Sequence, residues 1–561
     1  MINKRYIILA LGVLCYCAAQ AQSSKTARDE FEDFRKQAYG EFNSFRKKAY
    51  KEFSDFVRQA WKEFGAERPI PKPVMKPVPP VPYIEEAKPV EPIGPVQPEI
   101  PDNPIVPVQP VVPVQPVVPE IPDTPETPKT PITPDKPLKG HTPQPPKLDV
   151  EPINIPRPVI PDMRPVVIDE VVPFMFKPVV QPVPVEPIRD VKVKVQKKVD
   201  FNCFGTNLSV RFDTANRIML RDASENSVAD ALEAIKPRFY DNMLRDCLKL
   251  RKQHKMSDWA YLQMLKSLAE HIEGKDTNES VVLLAYLYLQ SGYKMRFASS
   301  EGKLYMLYAS DHYIYDVSYY LIDGQRYYGV GALPQTLNIC KASYPKEQSM
   351  SLQINTAQDF SYSPADDRVI TSKAYPNLSV TVAPNRNLIN FYNTYPTSMV
   401  NNNHMTRWAM YANTPMDREV AETLYPAMKD KLKGLSQIEA VNEVLNWVQT
   451  GLTYEYDDKV WGGDRAFFAE ESLFYPFADC EDRSILLTRL LRDLFGLKCL
   501  LVYYPNHLAS AVEITEGNPL GDYIELKGHK YFIADGTYIG APLGRTMPAM
   551  DNASATVILL E

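Results

Sequence analysis

The chain has no uninterrupted run of roughly eighteen or more apolar residues, the length a helix needs to cross a bilayer, so no integral membrane span is expected. Glycine is scarce, 23 in 561 residues, which excludes a collagen-type repeat with about one glycine in three. No charge of one sign dominates: 63 basic and 69 acidic residues leave a net charge of -6. That balance carries no electrostatic footprint for nucleic acid. The spacings CxxC and HExxH are absent, as is an EF-hand loop. No metal and no cofactor is therefore expected. Cysteine is sparse at seven, too few for a disulfide scaffold in so long a chain.

Proline is abundant by contrast, 51 residues, and its distribution divides the chain. The first residues are MINKRYIILALGVLCYCAAQAQ. Lys4 and Arg5 precede an apolar stretch from Ile7 to Ala19, and Ala19-Gln20-Ala21 is a small-x-small cleavage site. Residues 1–21 read as a secretory signal peptide cut after Ala21, which predicts a periplasmic, cell-envelope or extracellular protein. Cys15 and Cys17 follow Leu14 and Tyr16, which are too bulky for a usual lipoprotein signal. Cleavage leaves Cys203, Cys247, Cys340, Cys480 and Cys499, an odd number in an oxidising compartment. At least one thiol stays free, is modified or pairs with another chain.

Residues 22–68 hold an eleven-residue repeat, EFEDFRKQAYG, EFNSFRKKAYK, EFSDFVRQAWK, then EF. Phe31, Phe34, Ala38, Phe42, Phe45, Ala49, Phe53, Phe56, Ala60 and Phe64 fall at steps of 3, 4 and 4. That spacing makes one stripe of an amphipathic helix, and the period drifts toward a right-handed supercoil. A lone helix cannot hide a row of phenylalanines from water. It is expected to self-associate or dock on an envelope partner, to pack on the chain's own globular region, or to lie on a membrane surface. Residues 69–187 carry 37 of the prolines. Proline fixes φ and removes a donor, so a polyproline II linker is expected, with a proline-recognising partner as the alternative to a plain spacer. Fully stretched at 3.1 Å per residue it would reach about 370 Å.

From residue 188 the composition becomes globular, and Val191, Val193 and Val195 alternate with lysine as in a half-exposed strand. In this globular region a pair of stretches shares one order of elements: helix, helix, glycine, strand, an Asx-His step, strand, turn, strand. Gly292 answers Gly496, His312 answers His507, and the turn at Gly324 answers that at Gly528. The pattern reads as an internal duplication: residues 188–340 as a degenerate copy, 341–435 as a β-rich connecting segment, and 436–561 as the second copy. The first copy has Asp276 or Asn278 where the second has Cys480, and Gly331 where the second has Asp535. It therefore cannot do thiol chemistry.

Chemistry concentrates in the second copy. Cys480 precedes EDRSILLTRLLRDLF, whose Ile485, Leu486, Leu490 and Leu494 form one apolar face. A cysteine at a helix N-terminus feels the positive end of the macrodipole, which is expected to lower its pKa and favour the nucleophilic thiolate. His507 opens the strand after KCLLVYYP and is placed to act as general base and acid. Asp535 ends the strand KYFIAD and is placed to orient the imidazole. The spacings are 27 residues from Cys480 to His507 and 28 from His507 to Asp535. Asp535 before Gly536 is also a turn signal in its own right. Cys499 lies in an apolar strand and reads as core, and His529, in a turn, as exposed.

This arrangement resembles the transglutaminase-like superfamily, a branch of the papain-like thiol enzymes. The resemblance rests on a cysteine heading a helix with an acidic residue two on, Cys480 and Asp482, then Gly496, a strand, His507, and Asp535 after a β-turn. It implies an α+β fold, a helix-borne nucleophile Cys480 packed on an antiparallel sheet, His507 as base and acid, and Asp535 as the orienting carboxylate. The implied reactions are acyl transfers from amides of protein or peptide substrates, by hydrolysis or to an amine. The chain departs from the pattern with Ala478 two before the cysteine, Leu508 and Ala509 after the histidine, and Gly536 after the aspartate. The backbone N–H of Cys480 is the natural first oxyanion donor, and Trp461 is a candidate second. The alternative is a catalytically inactive scaffold of the same fold, tethered in the cell envelope.

Overall fold

The computed structural model describes residues 196–560 apart from 236–239 and a few single positions, with 182–184, 188 and the short segments 66–67, 165–166 and 171–172. The signal peptide, the eleven-residue repeats, most of the proline-rich linker and the alternating valines at 191–195 lie outside the described residues. Among the described residues no helix is long and apolar enough to cross a membrane. The architecture is mixed α+β, with two curled antiparallel sheets and eleven α-helices among the described residues.

The first copy begins with a hairpin, Lys198–Cys203 and Thr206–Arg211, whose side chains alternate between buried and exposed. Helix α1 (Asp258–Glu273) starts where Ser257 accepts the Ala260 N–H, and α2 (Asn278–Gln290) where Thr277 accepts that of Ser280. Helix α2 is apolar on nearly all sides and nearly all buried, as a helix wedged between α1 and a sheet must be. The sheet follows: β1 (Met295–Ser300), β2 (Lys303–Ala309), β3 (Tyr319–Ile322), β4 (Gln325–Gly329) and β5 (Leu337–Ile339). Their spatial order is β5-β1-β2-β4-β3, all antiparallel.

The second copy repeats this plan. Helix α3 (Gln437–Gly451) opens on a Ser436–Glu439 capping box. Two short helices intervene, α4 (Asp457–Val460) and α5 (Ala469–Phe474), before α6 (Cys480–Phe495). Strands β6 (Cys499–Tyr504), β7 (His507–Glu513), β8 (Tyr523–Leu526), β9 (His529–Ala534) and β10 (Thr556–Leu559) follow. Their order is β10-β6-β7-β9-β8, the order of the first sheet strand for strand. The first four strands of each copy start 204 positions apart: Met295 and Cys499, Lys303 and His507, Tyr319 and Tyr523, Gln325 and His529.

This register corrects one expected correspondence. The two-residue turns pair Ser300 with Lys303 and Tyr504 with His507, so Lys303, and not His312, stands where His507 stands. His312 lies beyond β2 and is buried. It accepts the Leu352 N–H on Nε2 at 3.2 Å, and its Nδ1 lies 3.3 Å from Ser398 Oγ. Burial pulls its pKa down to about 4. It is a neutral cross-link between segments. The local likeness of the two Asx-His steps is outweighed by hairpin geometry, which fixes register through the turn.

Two further expectations differ from the structure. The 341–435 segment holds the hairpin Arg368–Thr371 with Ser379–Val382, but also helices Arg386–Tyr392, Thr406–Asn413 and Arg418–Lys431. Pro426 inside the last of these obscures its apolar stripe of Val420, Leu424 and Met428. The proline-rich span is also not wholly spacer. Pro165–Val166 pairs in parallel with β8 and Val171–Val172 in parallel with β10, at opposite edges of the second sheet. Ala66–Glu67 pairs antiparallel with β5 of the first sheet.

The two copies share one core. Trp408, Tyr411 and Ala412 join the tyrosine-rich interior of the first copy to Cys480, Ile485, Leu501 and Leu508 of the second. Deep in the first copy, Arg251 Nη2 donates to Asp258 Oδ1 at 2.5 Å, with each side chain 3% exposed. Asp258 also accepts the Tyr293 hydroxyl at 2.7 Å and the Ser351 N–H at 2.8 Å. Removing one partner of a buried pair strands the other charge. Arg251→Met is expected to lower stability by about 3–5 kcal/mol in denaturant unfolding, and a loss under about 1 kcal/mol would contradict this reading.

Candidate functional site

Helix α6 begins at Cys480 because of two carboxylates. Asp479 accepts the N–H groups of Glu481 at 3.1 Å and Asp482 at 3.4 Å, and Asp482 accepts that of Asp479 at 3.2 Å. This reciprocal box satisfies donors that a helix start leaves open. The helix ends on Gly496, whose φ of 68° is left-handed. The other Asp482 oxygen accepts the Phe467 N–H at 2.8 Å, so this acid also anchors the preceding segment.

The next residue, Arg483, is 1% exposed and donates only to carbonyls: Leu452 at 2.8 Å, Gln449 at 3.0 Å, Ala478 at 3.3 Å and Gly536 at 3.4 Å. Burial pulls its pKa down to about 10. It ties the end of α3, the approach to Cys480 and the turn after Asp535 into one unit. Gln449 adds to this, donating to the carbonyls of Asp535 at 2.9 Å and Ala541 at 3.0 Å.

Strand β7 brings His507 to the same place. His507 Nε2 lies 2.8 Å from Asp535 Oδ2, and the two side chains are 0% and 1% exposed. The other carboxylate oxygen accepts the N–H groups of Thr537 at 2.8 Å and Tyr538 at 3.2 Å. Burial alone would raise the Asp535 pKa, but His507 and these donors outweigh it and hold it below the ordinary 3.8. An ionised carboxylate only accepts, so Nε2 carries a proton, which leaves Nδ1 as the ring's second site. That Nδ1 is buried and has no hydrogen-bond partner. Tyr504 lies nearly parallel to the ring, with centroids 6.2 Å apart.

The head of α6 packs on β7, where the Leu508 carbonyl accepts the Ser484 hydroxyl at 2.8 Å, and the Cys480 sulfur lies 4.0 Å from Glu481 Oε2. Cysteine and histidine thus sit on adjoining elements, while Nδ1 and the sulfur make no hydrogen bond. The expected low thiol pKa is contradicted. Burial first, then Asp479 and Glu481, push it well above 9.0, and the Leu508 N–H only partly offsets them. Glu481 also belongs to a second acidic cluster, with Asp457 and Asp464. Arg407 bridges Asp464 at 2.7 Å and Glu481 at 3.3 Å, and ligand-type oxygens of Asp457, Asp464 and Glu481 lie within 4.8 Å of one another. Arg407 supplies the positive charge this cluster needs. Burial raises the Asp457 pKa to about 7.

Trp461 sits in an aromatic cluster. It packs 4.8 Å from Tyr475 and 5.6 Å from Phe467, with the Arg465 guanidinium 4.4 Å from its ring. Tyr454 and Tyr456, which the sequence does not single out, are within electrostatic reach of the sulfur instead. Their alternation in Thr453-Tyr454-Glu455-Tyr456, just after α3, is the one local signal of them. Cys480, His507 and Asp535 are 6%, 1% and 2% exposed, so the site is closed. All five cysteines of the globular region are buried free thiols. Burial pushes Cys499 up to about 12, in line with a core role. His529 is about half exposed and lies 2.5 Å from Glu513.

A carboxyl whose folded pKa is depressed contributes stability that is present above its unfolded pKa and lost as pH falls through the folded value. Asp535→Asn is therefore expected to destabilise fully above about pH 5, with the difference from the native chain shrinking below about pH 4. Denaturant unfolding across this range checks it; a difference independent of pH contradicts it.

No protein-family model, curated protein or solved structure matches this chain.

Proposed function

We propose that the chain is an exported transglutaminase-like thiol enzyme that attacks amide bonds of protein or peptide substrates. The observation that carries this is the His507–Asp535 pair, whose buried, unpartnered Nδ1 lies at the start of the strand on which the helix headed by Cys480 packs. Asp535 sets the tautomer, and His507 offers a lone pair toward the helix start. Because burial and carboxylates keep the thiol neutral, His507 works as a general base and not as half of a standing ion pair. The sulfur attacks the amide carbon as its proton passes to Nδ1. The S–C bond forms, and the C–N bond breaks as the nitrogen takes that proton. The resulting thioester yields to water or to an amine. The Cys480 N–H, at the head of α6, is a donor for the oxyanion.

Access requires movement, and the internal duplication identifies the mover. Between α1 and α2 of the first copy lie only residues 274–277, whereas between α3 and α6 lie residues 452–479. This insertion carries Tyr454 and Tyr456, whose hydroxyls lie within electrostatic reach of Cys480. Gly462 and Gly463 in it have nothing within 4 Å of where a Cβ would be. The proline-rich segment and the Phe-rich N-terminal helix fit this reading as arm and attachment site. The closed site and raised thiol pKa favour a second reading, an inert binding module of the same fold.

Ammonia or amine release from glutamine-containing peptides separates the two. Cys480→Ala and His507→Ala are expected to lower turnover at least about a hundredfold. Tyr456→Ala is expected to speed Cys480 alkylation several-fold by opening the cover. Turnover that survives Cys480→Ala, or its absence from the intact chain together with slow labelling of Cys480 in Tyr456→Ala, sinks the enzymatic proposal.

A further inference from the structure

Arg483 stands where three stretches of the second copy meet. Its Nη2 donates to the Leu452 carbonyl at 2.8 Å and its Nη1 to that of Gln449 at 3.0 Å, which anchors the guanidinium at the end of α3. The rest of the fork reaches to both sides of the proposed site. Nε donates to the Ala478 carbonyl at 3.3 Å, and Nη1 also donates to the Gly536 carbonyl at 3.4 Å.

A carbonyl and the N–H of the following residue belong to one planar, trans peptide unit and point in opposite directions. Holding the carbonyl therefore aims that N–H. The unit of Ala478 carries the Asp479 N–H, which donates to Asp482 at 3.2 Å within the box that heads α6. The unit of Gly536 carries the Thr537 N–H, which donates to Asp535 Oδ1 at 2.8 Å. Asp535 Oδ2 in turn lies 2.8 Å from His507 Nε2. Each link from the guanidinium to the imidazole is a hydrogen bond, a rigid peptide or the carboxylate itself. Gly536 permits the approach: a Cβ there would lie 3.2 Å from Arg483 Cβ and 3.4 Å from Val448 Cγ1.

The first copy has neither end of this series. At the displacement of 204 positions, Glu279 answers Arg483 and Gly331 answers Asp535. Guanidinium and carboxylate occur together in the copy that carries the thiol. An arginine suits the place because its N–H groups leave in three directions within one plane, whereas a lysine offers its donors from a single atom.

We infer that Arg483 is a positioning residue which, through the Gly536–Thr537 peptide, holds a donor on the Asp535 carboxylate and so fixes the group that orients His507. The inference rests on the thiol-enzyme reading for its purpose, though not for its geometry. The charged and titratable groups that face Asp535 are His507 of β7, Arg483 and Cys480 of α6, and Tyr504 of β6, while α3 contributes the neutral Gln449. A carboxylate that loses a donor protonates at higher pH. Loosening the Thr537 N–H thus moves the Asp535 carboxyl up toward its ordinary range.

The test is denaturant unfolding of the full mature chain at about pH 7 and about pH 3, with and without Asp535→Asn, beside the pH profile of amide turnover. In the native background Asp535→Asn lowers the unfolding midpoint more at the higher pH. Arg483→Lys keeps the charge and loses the fork. In that background the pH-dependent part is expected to shrink by about a third or more, the share of one donor among those on the carboxylate, and the acid limb of turnover to move upward. Gly536→Ala, which pushes the turn off Arg483, shifts both in the same direction and serves if Arg483→Lys does not fold. Leu490→Ala, a buried truncation further along α6, lowers the midpoint at both pH values and leaves the pH-dependent part intact. The inference is overturned if Arg483→Lys and Gly536→Ala behave as Leu490→Ala does, or if the native chain has no pH-dependent part to lose. A reduced pH-dependent part in a protein without amide turnover upholds the role of Arg483 and defeats the enzymatic reading. Turnover with its acid limb in place and the pH-dependent part intact does the reverse.

Discussion

Nothing in the second sheet would hold a thiol beside an imidazole if the first turn of α6 were free to fray. Helix starts leave four N–H groups without partners, and this one is buried, where water cannot serve them. Asp479 and Asp482 answer that need reciprocally, and Asp482 gives its second oxygen to Phe467. Arg483 then staples the turn to the end of α3 and to the loop after Asp535 through four carbonyls. A buried guanidinium with no bonded carboxylate is costly. Tyr454 first, then Asp479, Asp482 and Asp535, offset part of that cost, while burial still pulls the Arg483 pKa down to about 10. The same three acids are elements of the site, so the charge that fixes the fold and the charges that shape the chemistry balance one another.

That balance decides the state of the thiol. A helix macrodipole is worth about half an elementary charge at its N-terminus. Burial first, and then the flanking Asp479 and Glu481, whose own pKa values burial also raises, push the Cys480 thiol up and override the dipole. The consequence is a thiol kept protonated, so that the proposed reaction needs a base to remove the proton, the part assigned to the unpartnered Nδ1 of His507. It also explains why the surround needs Arg407 from a distant helix: without it, Asp464 and Glu481 would be stacked unpaired beside Asp457.

Much of this is legible along the chain. The span of α6, its glycine stop, the hairpin and the placing of His507 and Asp535 at strand ends follow from apolar period and turn chemistry, which are local. The duplication is visible too, because Gly292 and Gly496, or Gly324 and Gly528, mark turns that only positive φ allows. What escapes the sequence depends on neighbours in space. A shared local phrase matches His312 to His507, while the hairpins place Lys303 there. The helix dipole alone argues for a low thiol pKa, while burial, with Asp479 and Glu481 adding to it, decides it. The cover over the site is invisible because its meaning lies in a comparison: residues 452–479 stand where the first copy has a four-residue joint, 274–277. The strand pairing at 165–172 lies hidden in a proline-rich stretch, where composition argues against any strand.

The central claim is covalent chemistry at one sulfur under the control of one imidazole. Rapidly quenched mixtures of the mature chain and an activated acyl peptide, analysed by intact-mass and peptide mass spectrometry, examine it directly. The account predicts a thioester on Cys480 that forms in the native chain, decays with added amine or on standing in water, and fails to form in His507→Ala. Acylation spread evenly over the five cysteines, or undiminished at Cys480 when the imidazole is gone, would contradict it.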